Sequence, residues 1–84
     1  MEQFETGMMV RSKSGHDAGK VYVITKVEEA YVYLVDGKVR TLDKPKKKKK
    51  KHVQLIKESF DIQGATDVDI KRWIKIWNKE DNQN

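Results

Sequence analysis

The chain lacks cysteine altogether, has a single proline among 84 residues, and contains no apolar run near the roughly 20 residues that span a bilayer as a helix. Without cysteine there is no disulfide framework and no thiolate metal site, which fits a reducing compartment. The two histidines, His16 and His52, stand far apart and make no metal centre, and no cofactor is expected. Aromatic residues are few, and hydrophobic and charged residues each make up 37% of the chain, so one modest core is expected and not two. The opening Met1-Glu2-Gln3-Phe4-Glu5-Thr6 has neither the basic head nor the apolar body of a secretory signal, so the expected location is the cytoplasm.

What the chain does have is positive charge in one place. Lys44 and Lys46 to Lys51 carry +7 of a net +5, so the rest of the molecule sums to −2. A near-neutral domain with one concentrated cationic segment points to a local contact with a polyanion.

The remaining pattern is mostly β. Met8 to Ser12 and Lys20 to Val27 read as two strands joined by a polar loop containing Gly15 and Gly19. Strand two is apolar on both faces, so it is expected to be central or strongly bent. Tyr31 to Val35 and Val39 to Leu42 read as strands three and four around Asp36-Gly37-Lys38, because Asp-Gly between β-rich runs is a strong hairpin signal. Val53 to Ile56 reads as strand five. Five short strands with tight turns suit a closed SH3-like barrel.

The period then changes. Thr66 and Asp69 form a variant capping box. Ile70, Trp73, Ile74 and Trp77 fall at i, i+3, i+4 and i+7, the stripe of a helix expected to pack on the barrel. The expected organisation is a flexible lead over 1–6, a barrel over 7–58 with a lysine-rich loop at 44–52, a loop and C-terminal helix over 59–79, and a flexible tail over 80–84.

Gly7, the pair Met9-Val10, the polar basic loop, Gly19, Lys20 and the hydrophobic residues after it together resemble a KOW motif. The resemblance extends through Tyr31 to Gly37 and Val39 to Leu42 into the lysine run. At that length it resembles the small KOW-domain RNA-binding proteins of bacteria, relatives of the KOW ribosomal proteins of the archaeal and eukaryotic large subunit. It implies an SH3-like barrel, a ribosome- or translation-associated role, and RNA contacts by the loop residues Lys13, Ser14, His16 and Lys20.

The residues themselves support an electrostatic interface. Six consecutive ammonium groups, Lys46, Lys47, Lys48, Lys49, Lys50 and Lys51, repel one another, so an extended, mobile loop is expected. A nucleic-acid backbone relieves that repulsion, and lysine supplies affinity more than sequence preference. The plainer alternatives are a solvated loop or a nuclear address. Lys38, Arg40 and Lys44 extend the basic set, with ordinary exposed charges as the alternative. Gly15, Gly19 and Gly37 are assigned to turn geometry, and Asp17 to capping its loop. Tyr22, Tyr31 and Tyr33 are expected in the core before any stacking on bases. The partner expected is RNA, ribosomal or structured, bound by a monomer.

Catalysis finds little support. Ser12, Ser14, His16 and Asp17 crowd one short loop, where nucleophile, base and orienting acid rarely align. Two rivals remain: a protein-interaction module using Trp73 and Trp77, and attachment to an anionic membrane surface without insertion.

Overall fold

The computed structural model describes residues 3–81. The first two residues of the expected lead and the last three of the expected tail lie outside the described residues. Five antiparallel strands form one sheet: β1 (Met8–Ser12), β2 (Val21–Val27), β3 (Tyr31–Val35), β4 (Lys46–Lys49) and β5 (Val53–Ser59). A 3-10 turn at Lys50–His52 joins the last two, and one helix, α1 (Asp67–Asp81), follows. The spatial order β4-β3-β2-β1-β5 puts β2 at the centre and leaves β4 and β5 as edges.

Apolar side chains on both faces of β2 make it a central strand. Tyr22 and Ile24 join Val10, Val32, Leu34 and Val53 in a cluster on one face, which Phe4 and Leu55 border. Val23, with Val35, faces the helix and packs on Ile70. Register shifts between Met8 and Val10 and between Ile24 and Lys26 bend the sheet around the first cluster. The curl is that of a small SH3-like barrel, but the expected closure is absent, because no ladder joins β4 to β5.

Strand four is not where the Asp-Gly signal put it. Asp36 Oδ1 captures the amides of Lys38 and Arg40 at 2.9 and 2.8 Å, which folds 36–40 into a compact turn and consumes the donors that a hairpin ladder would need. Val39 to Leu42 form no strand, and β3 pairs instead with Lys46–Lys49, from Leu34↔Lys46 to Tyr31↔Lys49. Most of the lysine run expected as a mobile loop is therefore an edge strand and a 3-10 turn.

The helix begins where the capping box predicts. Thr66 Oγ1 accepts the Asp69 amide at 3.2 Å, and Asp69 Oδ2 accepts the Thr66 amide at 3.0 Å. Those hydrogen bonds hold the Asp69 carboxyl below the usual carboxylate range. Ile70 is fully buried, and Trp73 stacks on Phe60 with ring centroids 4.6 Å apart. The helix runs to Asp81, past the point where a disordered tail is expected.

Candidate phosphate-binding surface

Alternation along β4 divides its lysines into two kinds. Lys46 and Lys48 lie opposite Leu34 and Val32, and residues opposite each other share a face, so their stems run beside the core. Both ammonium groups end on one carboxylate, Lys46 Nζ at 2.8 Å from Asp17 Oδ2 and Lys48 Nζ at 2.8 Å from Asp17 Oδ1. Asp17 also accepts hydrogen bonds from Ser12 Oγ at 2.9 Å and Tyr22 Oη at 3.0 Å. The carboxylate is buried, yet every oxygen has partners. Burial alone would raise its affinity for a proton, but Lys46, Lys48, Ser12 and Tyr22 together hold it well below the usual carboxylate range. Burial and the adjacent anion push the Tyr22 phenol up to about 12.

Lys47 and Lys49 face the other way. Lys47 Nζ sits 4.5 Å from the Tyr31 ring centroid and 3.7 Å from Glu28 Oε1, with half of its side chain still exposed. Lys49 and Lys51 are exposed, and Lys50 Nζ lies 5.7 Å from the Phe4 ring.

The β1–β2 loop is bound to this strand. Lys48 Nζ donates to the Ser14 carbonyl at 2.9 Å, and the Lys13 amide donates to the His52 carbonyl at 2.8 Å. Lys13, Ser14, Gly15 and His16 thus sit beside the lysine strand. The loop closes on itself through Gly19 N to Ser12 O at 2.8 Å and Ser12 N to Lys20 O at 2.9 Å. Gly19 takes φ +90° with open space where a Cβ would lie, so its requirement is the backbone angle and not close approach.

Lys20, Lys38 and Arg40 are not gathered at the lysine strand. Lys20 and Lys38 line a groove against α1, and Arg40 lies in the turn made by Asp36. Lys44 is exposed between that turn and β4. Arg11 is drawn to the helix, with its guanidinium 5.4 Å from the Trp77 ring centroid. Tyr22 is a core residue, whereas Tyr31 and Tyr33 are half-buried under Lys47 and Lys26.

Asp17 is the residue whose importance sequence reasoning understated. It caps its loop through Ser12 as expected, but its larger part is as counterion to two lysines about thirty residues away. The available signal was its isolation, a lone acid among Lys13, His16 and Lys20. Among the described residues no group of acids, histidines or cysteines is placed to hold a metal. No helix among them is long and apolar enough to cross a membrane.

Fold and surface together define a small, mainly β domain: a curled antiparallel sheet with one helix against it and an ordered cationic edge. No protein-family model matches this chain, and no curated protein matches its sequence.

Proposed function

We propose that this chain is a non-enzymatic, cytoplasmic RNA-binding protein of the KOW type, associated with the ribosome or with translation. It holds the phosphate backbone of RNA through Lys47, Lys49 and Lys51, with the β1–β2 loop beside them setting orientation. The observation that carries the reading is the division of labour in β4. Asp17 fixes Lys46 and Lys48, and the lysines between and after them stand in an ordered row at the surface. A backbone already held in a strand and a 3-10 turn has less freedom to lose on meeting a polyanion than a mobile loop would. Recognition is then by backbone shape and charge more than by base edges.

The test is titration of several unrelated RNAs over a range of salt with Lys47→Gln/Lys49→Gln/Lys51→Gln. Each single-stranded phosphate neutralised contributes about 0.7 to the slope of log K against log salt, so the triple variant is expected to lower the slope by about 2 and to weaken all RNAs alike. A loss restricted to one sequence would contradict the electrostatic assignment.

A second reading rests on a smaller groove of about 130 Å³ lined by Phe60, Trp73, Ile76 and Trp77, where Ile76 remains 48% exposed. That surface suits a protein partner. Salt-insensitive binding to a purified protein, with no RNA binding, would favour it.

A further inference from the structure

A second groove, larger than the first at about 600 Å³ and open to solvent, lies away from the lysine strand, at the Gly19–Lys20 end of the β1–β2 loop. Its walls come from three elements: Lys20 from that loop, Lys38 and Val39 from the connection after β3, and Lys71, Ile74 and Lys75 from α1. Packing forces this convergence. Gly37 lies flush on the first turn of the helix, where a Cβ would overlap the Asp67 carbonyl oxygen and approach the Lys71 amide. Asp67 Oδ1 accepts the Leu42 amide at 2.8 Å, which pins the same connection from its far side. Lys71 and Lys75, four residues apart, share one helix face toward the groove.

The electrostatics of the groove are unbalanced. Among the described residues none of its four lysines forms an ion pair. One carboxylate, Asp36, stands in the wall, and its Oδ1 is committed to the amides of Lys38 and Arg40. The lining is also partly apolar. Val39 is 71% exposed and Ile74 is half-buried, and neither has anything to offer an inorganic anion. A nucleotide matches both features, with its phosphate on the ammonium groups and the face of its base or sugar on Val39 and Ile74.

We infer that this groove is a second nucleotide-binding site, which takes the phosphodiester backbone and an adjoining base of the RNA held by the lysine strand. The inference rests on the RNA reading above. The β1–β2 loop links the two sites, since Ser14 touches Lys48 at one end while Gly19 and Lys20 line the groove at the other. Bound RNA therefore crosses the loop, and the helix joins the interface.

The experiment is lysine footprinting of the full chain: acetylation with and without a mixed-sequence RNA hairpin at low salt, read by mass spectrometry. Salt titrations of Lys71→Gln/Lys75→Gln and of a charge-matched control, Lys57→Gln/Arg72→Gln, accompany it. All four side chains are exposed, so both variants should fold, which circular dichroism checks. RNA is expected to protect Lys71 and Lys75 several-fold together with Lys47, Lys49 and Lys51, and to leave Lys57 reactive. The groove variant is expected to lose about 1.4–1.8 from the salt slope, at about 0.7 for each single-stranded phosphate and about 0.9 for each duplex one, while the control keeps the wild-type slope. Protection of Lys47, Lys49 and Lys51 with Lys71 and Lys75 as reactive as in the free protein would overturn the groove and leave the RNA reading standing. Absence of any binding or protection would overturn the RNA reading and the groove with it.

Discussion

Asp17 holds a charge where burial by itself would favour the neutral acid, and it does so because four donors from three parts of the chain converge on it. Its folded-state proton affinity lies below that of the unfolded chain, so the contribution to stability is complete above the ordinary carboxylate range near pH 4. It is lost as pH falls below that range toward the folded-state value. Tyr22 has the opposite sign: its phenol is pushed up to about 12, so its contribution is present below pH 10 and lost between 10 and 12. Asp17→Asn removes the charge that pairs both lysines. Lys46 keeps about a quarter of its side chain in solvent and can escape into water, but Lys48 keeps only a tenth and is left with the Ser14 carbonyl, so the expected cost is about 3–5 kcal/mol, that of a stranded buried charge. Urea unfolding at pH 7 measures that loss. The same titration at pH 3 should bring wild type and variant closer together. A gap that stays constant from pH 7 to pH 3 would mean that the Asp17 charge does not stabilise the fold.

Among the elements, the connection after β3 shows why local signals misread this chain. Asp36-Gly37 does turn the backbone, with Gly37 at φ +76°, but the turn is built to meet the helix and not to return a strand. A hairpin motif reports only on its own residues, whereas Gly37 answers to Asp67 and Lys71, thirty and more positions away. β4 was illegible for a related reason. Six lysines have no alternation to read, and the period appears only once Asp17 claims Lys46 and Lys48. β2, β3 and the helix cap were legible because their determinants are adjacent: β-branched and aromatic runs, and a Thr-Asp pair three apart. The exposed lysines of the candidate surface were legible as charge, but their sorting into fixed and outward-facing sets was not. Two glycines test the distinction between turn and contact. Gly19→Ala meets only an unfavourable φ in open space and should cost about 1 kcal/mol. Gly37→Ala adds an overlap with helix backbone and should cost about 2–4 kcal/mol, with a change in tryptophan fluorescence as α1 shifts. Equal thermal shifts for the two variants would show that the helix does not press on Gly37.

For the molecule as a whole, the central strand must bury both faces, and one helix supplies the second layer. Val23 and Val35 have Ile70 as their fully buried partner from α1, with Leu42, Ile62, Trp73 and Ile74 around it. A domain of 84 residues at roughly 0.05–0.15 kcal/mol per residue has only about 4–13 kcal/mol of stability in total. Ile70→Ala removes a fully enclosed side chain and leaves a cavity, a loss of about 2–5 kcal/mol. For a domain of this size each kilocalorie shifts the midpoint by about 4–8 °C, so Tm should fall by at least about 8 °C. Ile76, on the same helix but half in solvent, provides the comparison: Ile76→Ala should stay within about 0.5 kcal/mol of wild type. Thermal unfolding followed by circular dichroism separates the two. If Ile70→Ala melted with the wild type, the helix would be an appendage of the sheet and not its second layer, and the groove walls it forms with Lys20 and Lys38 would lose their support.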